Sequence, residues 1–138
     1  RWVDLEFLGM GRDSQKFVDI PGPLVLEAGE RDGWTFTGPK GAFHPIARID
    51  LEPFLDTLQG PYEIEVVVAV GQGVIGVGLT DDENSHLPDS ELVLDSSPDM
   101  QTATLRFSAR ARHVVIRNRH EDRQSNFTIH RITLREAA

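Results

Sequence analysis

The sequence predicts an all-β chain folded as a two-sheet antiparallel β-sandwich. Three observations point there. Apolar and polar residues alternate with period 2 along most of the chain. No 11-residue window carries a helical repeat, and residues 51–58 offer one short turn at most. Gly- and Pro-rich turns punctuate the alternating runs at short intervals, as they do in sandwiches.

Taken in order, the expected strands are Val3–Leu8, Lys16–Ile20, Leu24–Ala28, Trp34–Thr37 and Ala47–Leu51. Pro21-Gly22-Pro23, Asp32-Gly33 and Gly38-Pro39-Lys40-Gly41 separate the last four of these. Gly60-Pro61 opens Tyr62–Val70, in which Tyr62, Ile64, Val66, Val68 and Val70 share a face and Glu63 and Glu65 point away. Gly71-Gln72-Gly73 then makes a tight hairpin into Val74–Thr80, with glycine available for positive φ. Glu91–Leu94, Thr102–Ser108, His113–Asn118 and Phe127–Arg135 complete the set. Ala103, Leu105 and Phe107 line one face of their strand. The last strand changes phase, with Phe127 and Ile129 on one parity and Ile132 and Leu134 on the other. That change predicts a β-bulge near His130-Arg131 or a strand that crosses between sheets.

A chain of 138 residues fits one domain, 1–138, with a core that needs no staple. Without cysteine it has no disulfide, thiolate metal site or thiol nucleophile. No run approaches the ~18 apolar residues of a membrane helix, so no membrane partner is expected. With Arg1 at its start and no signal peptide in view, the chain is expected to be a module of a larger protein. A net charge of -8 disfavours nucleic acid, whose phosphates it would repel. The charge is uneven: residues 1–100 carry 6 Lys/Arg against 19 Asp/Glu, and residues 101–138 carry 8 Arg against 3 acids. Basic C-terminal strands pairing with acidic ones such as Tyr62–Val70 would account for it.

The most informative strand is Val74–Thr80. Ile75, Val77 and Leu79 fall on one face, and Gly76 and Gly78 on the other. Glycine weakens a strand interior, so two on one face suggest a bare patch for a ligand or another backbone. Arg48 and Asp50 point outward if Ala47, Ile49 and Leu51 point in, and Arg106 and Arg117 are expected to face Glu63 and Glu65. Guanidinium and amide groups donate while carboxylates accept, the mixture that hydroxyl-rich ligands need. The candidate ligand-binding set around the glycines is therefore Trp34, Arg48, Asn84, Glu91, Arg117 and Asn118. Asn118, Arg119, Asp122 and Asn126 surround the last loop, expected at the binding rim.

The oxygen-rich loop from Asp81 to Glu91 suggests a structural Ca²⁺, but it lacks the EF-hand spacing. A solvated turn with Asx caps is the preferred reading, and no cofactor is expected. The five histidines form no HxH or HExxH arrangement, and no nucleophile motif is present. Neither a metal site nor a catalytic residue is assigned.

Gly33-Trp34-Thr35-Phe36, the strand from Tyr62 to Val68, and the pair His113–Asn118 and Phe127–Leu134 carry a resemblance. They resemble jelly-roll carbohydrate-binding modules of the galactose-binding-like type, as attached to bacterial glycan-assembly enzymes. The resemblance implies a non-catalytic accessory role with a saccharide as ligand and a catalytic domain as neighbour. A transferase neighbour would place the chain in the cytoplasm. The chain departs from the pattern in aromatic supply, having Trp2, Trp34 and Tyr62 beyond seven Phe. A structural or dimerisation domain of a larger enzyme is the alternative.

Overall fold

The computed structural model describes residues 2–7, 16–19, 24–27, 34–37, 41, 45–51, 55, 60–83, 85–88, 90–108 and 110–137. Eleven strands appear among them: β1 Trp2–Phe7, β2 Lys16–Asp19, β3 Leu24–Glu27, β4 Trp34–Thr37, β5 Pro45–Asp50, β6 Tyr62–Gln72, β7 Val74–Thr80, β8 Leu92–Asp95, β9 Gln101–Phe107, β10 His113–Asn118 and β11 Asn126–Glu136. Each matches an expected strand to within two residues at either end. Of the 51–58 stretch, only Leu51 and Leu55 are described.

Two antiparallel sheets form the sandwich. One has six strands in the order β2-β1-β5-β10-β7-β8. The other runs β3-β11-β6-β9, with β4 also paired to β11. β6 and β7 lie in different sheets and do not pair with each other, so Gly71-Gln72-Gly73 makes a tight connection between the sheets and not the expected hairpin. Gly73 within it has φ 82°, a left-handed conformation that glycine adopts without strain. Gly73 is also pressed by Ser125, whose Cα would lie 2.8 Å from an added Cβ.

Alternation becomes burial. Tyr62, Ile64, Val66, Val68 and Val70 of β6 face Ile75, Val77 and Leu79 of β7, Val114 and Ile116 of β10 and Ala47 and Ile49 of β5 in one core. Each fully buried aliphatic side chain contributes about 1.5–3 kcal/mol. Tyr62 stacks on Phe107 at 5.2 Å between ring centroids, and its hydroxyl donates to the Leu55 carbonyl at 3.1 Å.

The phase change in β11 is a bulge. Ile129 pairs with Val68 and Arg131 with Val67, so His130 is the extra residue. Phe127, Ile129, Ile132 and Leu134 are all buried as a result. β4 pairs along Asn126–Ile129 and β3 along Arg131–Leu134, so the bulge marks where one neighbour hands over to the other. The strand stays within its sheet throughout, which settles the two expectations in favour of the bulge.

The uneven charge is resolved across the five-stranded sheet. Acidic β6 lies between β9 and β11. Glu63 accepts from Arg106 at 3.2 Å and Arg135 at 2.5 Å, and Glu65 accepts from Arg135 at 3.0 Å. The guanidinium of Arg135, bonded to Glu63, is the main reason that the carboxyl of Glu63 titrates below the usual carboxylate range. Arg117 does not join this ladder as expected, because β10 belongs to the other sheet.

Candidate functional site

The outer face of the six-stranded sheet carries the polar convergence. Val115 of β10 pairs with Arg48 of β5 on one side and Gly78 of β7 on the other; Arg117 pairs with Gly76. Directly opposed residues project to the same face, so Arg48, Arg117 and the two glycines share it, opposite the core parity of Val114 and Ile116. Glu91 immediately precedes β8, which pairs with β7 through Val77↔Leu92. That register brings Glu91 beside Gly78.

The glycines are not bare. An added Cβ at Gly76 would stand 2.6 Å from both Cδ and Oε2 of Glu91 and 3.1 Å from Cγ of Arg119. One at Gly78 would stand 3.3 Å from Cβ and 3.5 Å from Cα of Glu91. Both glycines are buried. The expected open patch is therefore corrected: the missing side chains leave room for the chain's own Glu91, which crosses β7 to reach β10. Arg117 donates to its carboxylate twice, Nε to Oε2 at 2.5 Å and Nη2 to Oε1 at 3.1 Å. Arg119 donates to Oε1 as well. This two-pronged hold is the planar geometry that guanidinium offers a carboxylate. Burial alone would raise the Glu91 carboxyl, but the bonds and charges of Arg117 and Arg119 outweigh it and hold the group below its ordinary value.

His86 completes the cluster. Arg117 Nη1 lies 3.2 Å from His86 Nε2. A guanidinium has no lone pair to offer, so Nε2 accepts and the imidazole is neutral with its proton on Nδ1. Burial, and then the charge of Arg117, push its titration below the ordinary histidine value, against a smaller opposing pull from Glu91. One row further along the sheet, Thr80 pairs with His113 on β10 and bridges to His86.

The remaining candidates separate. Asn118 is 0% exposed, a correction to its expected place at a ligand rim. Its parity is that of Val114 and Ile116, and its amide knots the following loop together. Nδ2 donates to the Arg123 carbonyl at 2.8 Å, Oδ1 accepts from His120 N at 3.0 Å, and the Ser125 hydroxyl lies 2.7 Å from Oδ1. Trp34 is on β4, paired with Ile129 in the five-stranded sheet, and not on the sheet that holds Arg48, Glu91 and Arg117. Asn84 lies outside the described residues. Arg119, expected at the rim of the last loop, and His86, in the loop from Asp81 to Glu91, also belong to the cluster. Arg119 stands one residue beyond β10, and His86 sits in a loop where no periodicity signals a face.

The loop after β7 is an Asx-capped turn. Asp81 Oδ1 accepts from Glu83 N and Ser85 N, both at 2.9 Å. Leu87 N donates to the Leu79 carbonyl at 3.0 Å, and Ser90 Oγ donates to the Leu87 carbonyl at 2.6 Å. Together they strap the segment that delivers Glu91 back across β7. At the end of the sandwich, Asp81, Asp82 and Glu83 line an open cleft of about 510 Å³ with Ser108, Arg110 and Arg112. Among the described residues, no group of three metal-binding side chains is placed to hold an ion.

No family model matches the sequence, and neither does any curated protein. The fold is similar to solved structures. A mutant of the family 29 carbohydrate-binding module CBM29-2, complexed with mannohexaose, superposes with a TM-score of 0.54 at 8% identity, over 99% of this chain and 94% of that one. The CBM22-1 and GH10 modules of endo-1,4-β-D-xylanase 10B from Clostridium thermocellum, complexed with xylohexaose, give 0.53 at 11% identity, over 100% of this chain and 29% of theirs. At such identities the likeness is one of architecture. The chain has the two-sheet β-sandwich fold found in carbohydrate-binding modules.

Proposed function

We propose that the chain is a non-catalytic carbohydrate-binding module of a larger protein, recognising a saccharide on the outer face of its six-stranded sheet. The observation that carries this reading is the fold likeness to carbohydrate-binding modules, end to end with the family 29 module complexed with mannohexaose and over 29% of the CBM22-1–GH10 chain complexed with xylohexaose. The cluster of Arg117, Arg119, Glu91 and His86, with Arg48 on the same face, supports the choice of face, because it sets guanidinium donors beside carboxylate and imidazole acceptors. Binding per site is weak, since sugar hydroxyls exchange bonds to water for bonds to protein. A tethered catalytic domain, of the glycan-assembly kind that the sequence resemblance implies, would supply avidity. Glu63 and Glu65, two residues apart on β6, are engaged by Arg106 and Arg135.

Calorimetric titration with mannohexaose and xylohexaose, backed by a glycan array, tests the proposal. Binding that is lost in Arg117→Ala and kept in Arg106→Ala, on the opposite sheet, is the expected result. A chain that retains no saccharide on the array refutes it.

A second reading, a protein-interaction or dimerisation domain, is favoured by one observation. The exposed large apolar residues among those described are Leu92, Val93 and Met100. They lie on β8 and the turn leaving it, along the free edge of the six-stranded sheet. Sedimentation that shows a dimer, dissolved by Val93→Lys, together with an empty glycan array, would select it.

A further inference from the structure

We infer that the outer face of the six-stranded sheet is a carboxylate-binding site, that its ligand class is an acidic saccharide of the uronic acid type, and that Glu91 is its built-in competitor. The inference rests on the proposed saccharide function and names the ligand class of that same site.

The geometry of the bound carboxylate carries it. Arg117 meets the Glu91 carboxylate along two parallel N–H···O lines, and Arg119 closes on one of the same oxygens. The floor beneath is the side-chain-free strip of Gly76 and Gly78, close enough that the Glu91 carboxyl would stand 2.6 Å from an added Cβ. A flat acid group thus lies in a slot with a glycine floor and guanidinium walls. The slot recognises the group and not the residue that bears it, because the atoms in contact are those of any carboxylate.

Charge points the same way. The chain as a whole carries -8, yet at this slot Arg117 and Arg119 both close on one acid, Glu91, with His86 beside them. A sugar carboxylate in the place of that of Glu91 would restore these contacts, which a neutral sugar cannot, and its ring hydroxyls can bond the acceptor Nε2 of His86 once Arg117 turns to the ligand.

Glu91 is tethered, so it competes at an effective concentration of roughly millimolar or above. Its release from the slot lets a ligand acid take both prongs of Arg117. The strap from Leu87 to Ser90 holds the backbone of the segment independently of this carboxylate, through bonds to Leu79 and Leu87 carbonyls. Side-chain exchange therefore does not require unfolding of the loop.

The experiment titrates the intact chain, Glu91→Ala and Glu91→Gln with trigalacturonate and with xylohexaose. Binding is followed calorimetrically and through the Arg Nε–H resonances in NMR. Glu91→Gln keeps the shape of the side chain and guards against a loss of fold. The expected result is a gain of about tenfold in affinity for the uronate in both variants, with the Arg117 Nε–H resonance displaced, and no comparable gain for the neutral hexasaccharide. Equal gains for both sugars, or uronate binding that leaves the Arg117 resonance unmoved, overturn the acidic ligand class while the saccharide function stands. An absence of binding to every saccharide by all three proteins overturns both.

Discussion

Gly76→Ala puts the role of the glycine strip to a direct test. The new methyl would overlap Cδ and Oε2 of Glu91 at 2.6 Å, well inside contact distance. Backbone cannot yield cheaply in a central strand, so the carboxyl end of Glu91 must swing away and release Arg117 and Arg119. The pair is neither open nor sealed, with side-chain exposures of 16% for Glu91 and 15% for Arg117. Exposed pairs contribute about 0–1 kcal/mol and fully buried ones cost about 3–5 when broken, so a loss of about 1–3 kcal/mol is expected here. Replacing glycine in a strand returns about 0.5–1 kcal/mol. The net destabilisation is about 0–2.5 kcal/mol. Urea unfolding at neutral pH measures it, and the double variant with Glu91→Ala isolates the cause. With Glu91 absent, Gly76→Ala becomes neutral or mildly stabilising. Gly78→Ala, whose methyl would approach Glu91 Cβ only to 3.3 Å, should cost less than Gly76→Ala. If Gly76→Ala costs the same with and without Glu91, the glycines are not there to admit that side chain.

The remaining predictions concern pH and the last loop. His86 titrates below its ordinary value of 6.5 in the folded chain, so the unfolded chain binds more protons below that value. Stability therefore falls on acidification through the window beneath 6.5, and His86→Gln should flatten the loss in pH-dependent melting curves. Glu91 is held below 4.5, so its ion pairs contribute fully above that value and fade as pH falls through the depressed one. The difference between the intact chain and Gly76→Ala should close in the same acid range. Asn118→Ala removes the donor to the Arg123 carbonyl and the acceptor of His120 N, while the Ser125 hydroxyl keeps its bond to the Val74 carbonyl, and should cost about 1–2 kcal/mol. Denaturation measures the cost, and hydrogen exchange should speed up at His120 N, which loses its acceptor.

Much of the architecture was legible in the chain because strand order along the sequence and side-chain parity are local properties. The eleven strands, the tight turn at Gly71-Gln72-Gly73 and the bulge at His130 all follow from alternation and its interruption, whereas the passage from one sheet to the other at that turn, in place of a hairpin, does not. Parity also held a signal that the candidate set overlooked. Asn118 falls in step with Val114 and Ile116, and a polar residue in that phase belongs inside, bonded to its own loop. Its neighbours Arg117 and Arg119 fall on the other phase, which is where the polar cluster forms.

By itself, then, the sequence determined which residues share a face, and it singled out Gly76 and Gly78 as a place of close approach. It could not name what approaches. That depends on where an eleven-residue connection returns, and the pairing of Leu92 with Val77 is a long-range choice that no local pattern encodes. Only the tertiary structure decided that Glu91 comes back over β7, that Arg117 turns to it and not to Glu63, and that a carboxylate fills the slot. The reason is physical: periodicity sets the direction of a side chain, whereas its partner is set by whichever segment the packed sheets bring within a few ångströms.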